Sequence, residues 1–176
     1  MEVKKLSEIP LDKCIYMSIG THANEPINEI MDRKEKEIED CDFGLWAYSS
    51  PIAEKIDSFC ENEDAIYVVM TDTGKPTKGE VVEAKYYKEN NNSEKKEIPY
   101  KMKVTYSRKS KARALVVEKY FKINDEDNML IKSDYERREY FNGFELLEKK
   151  QESSKRRTCK IVYVAKLKYP FSVYIK

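Results

Sequence analysis

Two hydrophobic periods run along this chain, and the change from one to the other falls near residue 80. Cys14–Ile19 is a short apolar run that stops at Gly20, which predicts a buried strand. Asn24-Glu25-Pro26 follows, with apolar residues at 27, 30, 31 and 38. That spacing of three and four predicts a helix near 26–39 with Pro26 at its first position. Leu45–Tyr48 reads as a second strand. Ser49-Ser50-Pro51 and the apolar positions 52, 53, 56, 59 and 60 predict a second helix near 51–61, with a serine cap and a proline in its first turn. Ala65–Met70 is a third strand, closed by Thr71-Asp72-Thr73-Gly74-Lys75-Pro76.

Beyond this point the period becomes two. Val81–Tyr87 and Tyr100–Tyr106 alternate as strands do, and the polar stretch Lys88–Glu97 predicts a hairpin loop joining them. Ala112–Phe121 is a further strand and Asn128–Ile131 a short one. Asp134–Lys149 reads as a helix, with Phe141, Phe144 and Leu147 on one stripe and Gly143 weakening it. After a polar turn at Lys149–Arg157, alternation returns at Ile161, Tyr163, Ala165 and Leu167. Pro170 ends that strand or puts the next at an edge. The order predicts one α+β domain over residues 1–176, with a mixed curved sheet or partly closed β-barrel and helices packed on one side. Its β-α-β-α-β start leads into a strand meander and a C-terminal hairpin.

Composition narrows the class. The 176 residues are 40% hydrophobic and include thirteen Tyr and six Phe, which argues against disorder despite 37% charged residues. No apolar run approaches the roughly 20 residues of a membrane helix, and polar residues follow Met1–Lys5 where a signal peptide would have an apolar core. A cytoplasmic protein without membrane association is expected. The four cysteines show no C-x-x-C pairing and the chain has one histidine, so neither structural zinc nor a disulfide is expected, and no cofactor is implied. Cys14, Cys60 and Cys159 sit in or beside apolar runs and read as buried hydrophobes. Abundant Lys, Glu, Ile, Asn and Tyr suit A/T-rich codons, as in a low-G+C genome or one of its viruses.

The net charge of +1 hides an asymmetry. Residues 1–64 carry 7 Lys/Arg and 16 Asp/Glu, and residues 65–176 carry 26 and 16. Ile98–Val117 has six basic residues and Ser153–Lys176 has seven, with no acid in either. Acidic and basic surfaces that attract each other would account for this, and so would a basic face for phosphate-bearing partners.

Three loops follow the first three strands and carry the candidate chemistry. Thr21, His22, Asn24 and Glu25 offer a hydroxyl, a proton carrier, an amide and a carboxylate just before a helix start. Trp46, Tyr48 and Ser49 offer an aromatic face and hydroxyls. Asp72, Thr73 and Lys75 surround Gly74, although the Walker spacing is absent. Were the three strands parallel neighbours, all three loops would leave the same sheet edge, where open α/β sheets bind ligands. Turn and capping chemistry accounts for the same residues without a ligand. In the rear half, Tyr86, Tyr87, Tyr100 and Tyr106 mingle with Lys85, Lys101, Lys103 and Arg108, a mixture that suits stacked bases and phosphates. Lys101, Lys103 and Arg108 are the candidate nucleic-acid contacts.

No G-x-S-x-G, H-E-x-x-H, EF-hand or G-x-G-x-x-G motif is present. The first expectation is a non-enzymatic module binding a nucleotide-like molecule or single-stranded nucleic acid. A small hydrolase or transferase with His22 as acid or base, assisted by Glu25 or Asp72, is the competing class. The third is an inhibitor or interaction protein, virus-encoded on the codon argument, that sequesters a ligand or blocks a partner. The oligomeric state is left open.

Overall fold

The computed structural model describes residues 1–22, 24–49, 53–76, 82–89, 93–99, 102, 104–106, 112–141, 144–150 and 158–176. These form a mixed α+β protein that is mostly sheet. The elements are β1 (Glu2–Lys4), β2 (Lys13–Ile19), α1 (Ile27–Cys41), β3 (Gly44–Ser49), α2 (Ala53–Cys60), β4 (Tyr67–Asp72), β5 (Val82–Glu83), β6 (Tyr86–Lys88) and β7 (Lys96–Glu97). They continue with β8 (Thr105–Tyr106), β9 (Ala112–Ile123), β10 (Met129–Ile131), β11 (Tyr135–Phe141), β12 (Phe144–Lys149), β13 (Thr158–Lys160) and β14 (Tyr163–Ile175). Neither helix is long and apolar enough to cross a membrane. All four cysteines are free thiols; Cys14 and Cys60 are buried, whereas Cys41 and Cys159 are only half-buried.

The chain packs as two compact units. The first comprises Met1–Ile19, Asp64–Thr73 and Tyr120–Lys166, and the second Gly20–Glu63, Gly74–Lys119 and Leu167–Lys176. The ten-stranded sheet has the order β1-β9-β14-β4-β2-β12-β11, and of β9 and β14 only Tyr120–Ile123 and Tyr163–Lys166 belong to the first unit. β2 runs parallel to β4, from Cys14 opposite Tyr67 to Ile19 opposite Asp72, while β12 is antiparallel to β2 and β14 to β4. Val68, Val69 and Met70 are buried on both faces of β4, as a strand flanked on each side requires. One face is filled by Cys14, Val69, Leu147 and Val164, with Ile9, Leu11, Leu130 and Ile161 packed on them. β10 and β13 pair antiparallel beside this sheet.

In the second unit, β3 pairs antiparallel with the start of β9, and the end of β14 pairs with β6, which continues to β7. β5 pairs with β8. Leu45, Met102, Val104, Ala114, Val116, Val173 and Ile175 make its apolar core. α1 turns Ile30, Met31, Lys34 and Glu37 inward, a three-and-four stripe that is apolar at its start and a charge pair at its end.

The structure corrects several expectations. The sheet is not closed into a barrel: among the described residues its strand order ends at β1 on one side and β11 on the other. Of the first three strands only β2 and β4 are parallel neighbours; the middle one, β3, pairs antiparallel with β9. Residues 134–149 are not a helix: β11 and β12 form an antiparallel hairpin, with Phe141 opposite Phe144. Phe141 and Phe144 stand on opposite strands of the hairpin, and Phe144–Leu147 is buried throughout, so their spacing marks no helix face; in the sequence the Asn142-Gly143 dipeptide favours a hairpin turn. The C-terminal hairpin is absent, since β14 continues through a cis Tyr169–Pro170 bond to Ile175. Pro26 is the N-cap of α1 rather than its first helical residue.

Candidate functional site

Residues 22–25 fold into a tight turn. The His22 N–H donates to the Glu25 carbonyl at 3.0 Å and the Glu25 N–H returns the bond to His22 at 2.9 Å. Asn24 sits near the tip with φ 68°, a left-handed conformation that asparagine tolerates better than most residues. The side chain of Glu25 is committed elsewhere. Arg33 on α1 donates to it twice, Nε to Oε1 at 3.0 Å and Nη2 to Oε2 at 2.8 Å, and its Nη1 reaches Glu37 Oε1 at 3.2 Å. Glu37 Oε2 in turn accepts from Lys34 Nζ at 2.9 Å, and Lys34 also donates to the Leu45 carbonyl at 2.6 Å. Burial lowers the Lys34 pKa, and the adjacent Glu37 carboxylate works against that shift. The carboxylate read from sequence as His22's assistant therefore ties its turn to α1. Thr21 and His22 are half-buried beside it.

Asp72 ends β4 opposite Ile19 of β2, and the Thr73 N–H extends that pairing by donating to the Ile19 carbonyl at 2.9 Å. Behind them the Tyr16 hydroxyl and Thr71 Oγ1 are 3.0 Å apart. Lys132 Nζ lies 4.0 Å from the Tyr16 ring centre and 2.5 Å from the buried Glu145 carboxylate. Asp72, Thr73 and Lys75 are exposed, and Gly74 has φ 62°, the reason a glycine stands there. Asp72 and Thr73 belong to the first unit; Thr21, His22, Asn24, Glu25, Trp46, Tyr48, Ser49 and Lys75 belong to the second.

Ser50 and Pro51 of the expected cap and first turn lie outside the described residues, whereas Tyr48 and Ser49 are described. They close β3, Tyr48 opposite Arg113 and Ser49 opposite Ala112, with Trp46 half-buried opposite Leu115. Here lies a polar cluster that sequence reasoning missed. The Arg113 guanidinium is 1% exposed and stacks 3.9 Å from the Tyr174 ring centre. Its Nη2 donates to Ser172 Oγ at 2.8 Å, Ser172 Oγ donates to Asp57 Oδ1 at 2.9 Å, and Asp57 Oδ2 lies 3.5 Å from the guanidinium. Burial pushes the Tyr48 phenol well above its usual range, and Arg113 pulls the other way. The signal was an arginine inside Ala112-Arg113-Ala114-Leu115-Val116-Val117: a cation in so apolar a strand needs a carboxylate, and Asp57 lies beside the buried stripe of α2.

The second unit also carries an open surface depression of about 320 Å³, lined by Ala84, Lys85, Tyr86, Glu97, Ile98, Pro99 and Met102. Backbone bonds fix its rim: the Lys85 and Tyr86 N–H groups both donate to the Lys176 carbonyl, and the Ile98 N–H donates to the Lys85 carbonyl. Tyr86 is 38% exposed there, while Tyr87 turns inward against Phe43 with ring centres 6.2 Å apart. Among the described residues of the basic-aromatic pattern, Tyr86 and Lys85 meet in this concavity. Lys101, Lys103 and Arg108 lie outside the described residues. Among the described residues, no group of three or more His, Cys, Asp or Glu side chains is placed to hold a metal ion.

Compared with protein-family models, curated proteins and solved structures, the chain gives no match.

Proposed function

We propose that this chain is a non-enzymatic module that binds a phosphate-bearing ligand carrying a nucleobase, either a nucleotide-like molecule or single-stranded nucleic acid. The observation that carries the reading is the depression of the second unit, which joins a partly exposed ring, Tyr86, to a cation, Lys85, over an apolar floor of Ile98, Pro99 and Met102. A base stacks on the ring and floor, and the ammonium meets a phosphate. Glu97 on the rim accepts from an amino or hydroxyl group. Lys101 and Lys103 adjoin this segment in the sequence and belong to a stretch of six basic residues without an acid. Catalysis is the weaker reading because Glu25, the carboxylate nearest His22 in the chain, is gripped by Arg33.

The test is a fluorescence-anisotropy titration with a labelled oligothymidylate of about fifteen nucleotides. Tyr86→Ala is expected to weaken binding roughly tenfold, the loss of one stacked base. Replacing Lys101, Lys103 and Arg108 together with Ala is expected to reduce the slope of log affinity against log salt by about 2, at about 0.7 per cation on a single strand. Affinity that does not change between low and moderate salt would sink the reading. Nucleotide turnover lost in His22→Ala with binding retained would make the chain a hydrolase or transferase instead.

A further inference from the structure

The end of the chain carries a second exposed aromatic surface in the same unit as Tyr86. Tyr169 is 78% exposed, the highest value among the large apolar side chains described. Phe171 backs it edge to face, with centroids 6.0 Å apart and ring planes at 84°. Phe171 has φ 63°, a left-handed backbone that bulky residues rarely adopt. Around this point Lys168 and Tyr169 are both exposed, and Ser172 and Val173 are both buried. The polypeptide thus adopts a disfavoured conformation and leaves a large ring in water, a combination that points to an occupant. Charge says which kind. Lys168, next to the ring in sequence, is exposed, and Leu167–Lys176, the part of β14 and the chain end in this unit, carries Lys168 and Lys176 and no acid.

We infer that the ligand is single-stranded nucleic acid rather than a mononucleotide, with Tyr169 stacking a second base; this rests on the reading of Tyr86 as the first stacking surface. A mononucleotide presents one base and covers one ring. The two exposed rings stand on different strands, Tyr86 on β6 and Tyr169 on β14, each next to a lysine in sequence, Lys85 and Lys168. Alternating rings and phosphates are what a single strand offers. Inorganic phosphate or an acidic peptide would satisfy the lysines and leave the rings uncovered.

The experiment compares thymidine monophosphate with the same oligothymidylate on the full chain. The oligonucleotide is expected to bind tighter. Tyr169→Ala is expected to weaken the oligonucleotide roughly tenfold while leaving the mononucleotide unchanged, and Tyr169→Phe to restore affinity. Because the ring is exposed, thermal melting of Tyr169→Ala is expected to match the parent, so a binding loss is not a folding loss. Oligonucleotide affinity unchanged in Tyr169→Ala, while Tyr86→Ala weakens it, would overturn this inference alone. Mononucleotide binding as tight as the oligonucleotide, or an acidic peptide binding equally well, would overturn it too. No binding of either nucleotide probe by the parent protein would overturn the underlying reading along with it.

Discussion

Arg33 holds Glu25 in a two-pronged grip, Nε on one carboxylate oxygen at 3.0 Å and Nη2 on the other at 2.8 Å. The bond spans eight residues and fixes the His22–Glu25 turn to the first turns of α1. A planar guanidinium matches a carboxylate this way and a lysine does not. The remaining Arg33 nitrogen reaches Glu37, which is 1% exposed and also receives Lys34, so two cations neutralise a buried carboxylate. The charge at the start of α1 is thereby a structural chain running from the turn to the Leu45 carbonyl of β3.

Arg33→Ala is expected to destabilise the protein by about 1–3 kcal/mol, because it removes charge-assisted bonds to two carboxylates, one of them buried. Arg33→Lys is expected to recover only part of that, since an ammonium cannot reproduce the fork. Urea denaturation midpoints check both, and oligonucleotide affinity is expected to stay at the parent value. A midpoint unchanged in Arg33→Ala would show that the grip contributes nothing and would reopen Glu25 as a partner for His22.

Elements with one clear period were legible in the sequence. β2, β3, β4, β9 and both helices fall within two or three residues of where apolar spacing puts them. The pairing of β2 with β4 was not legible, because the supposition of three parallel neighbours put β3 between them, whereas β3 pairs antiparallel with β9. The hairpin of β11 and β12 was misread. Phe141, Phe144 and Leu147 are spaced by three and so imitate a helix face, and the Asn-Gly dipeptide should have decided for a hairpin. Partnering across long separations was not legible at all. Nothing local links Asp57 to Ser172, 115 residues away, or tells that Arg33 holds the Glu25 carboxylate. The depression was not legible: the sequence pointed to three loops, none of which lines it, and Tyr86 and Lys85 stood out only in a basic-aromatic pattern, while Ile98, Pro99 and Met102 join them once β6 and β7 pair.

The Arg113 cluster supports a second expectation. Asp57→Ala leaves a guanidinium that is 1% exposed without its carboxylate, and the expected cost is about 2–4 kcal/mol. The lower part of that range applies because the Asp57 side chain is 32% exposed, so water screens the pair. Arg113→Met removes the buried charge, keeps most of the volume, and leaves Asp57 with access to water. It is therefore expected to cost less than Asp57→Ala, despite losing the contact with Tyr174. Chemical denaturation of the two variants side by side checks the order, and the reverse order would mean that stacking on Tyr174 outweighs the ion pair.

Alkaline pH gives a test of burial at Cys14. This thiol is fully buried on β2 among Val69, Leu147 and Val164, and burial raises its pKa from 9.0 to about 12. A raised thiol pKa means that the folded state keeps its proton after the unfolded chain has lost it. Between pH 9 and 12 the folded state therefore binds more protons, and stability falls as pH rises, toward a slope of roughly 1.4 kcal/mol per unit. Below pH 9 both states hold the proton and the contribution is flat. Burial likewise raises Tyr135 from 10.0 to about 12 and Tyr48 in the same direction, so both add to the fall only above pH 10. Lys34 acts oppositely: its pKa is lowered, so the unfolded chain binds more protons below 10.5 and stability gains there as pH rises. Cys14→Ala separates these groups. The variant is expected to lose a constant increment of about 1 kcal/mol from lost packing at all pH values, and to show a shallower decline than the parent between pH 9 and 10. The Lys34 contribution is common to both proteins and cancels in their difference. Denaturant midpoints at pH 8, 9 and 10 measure it, and parallel declines in the two proteins would mean that the thiol ionises within the fold and is not sealed from water.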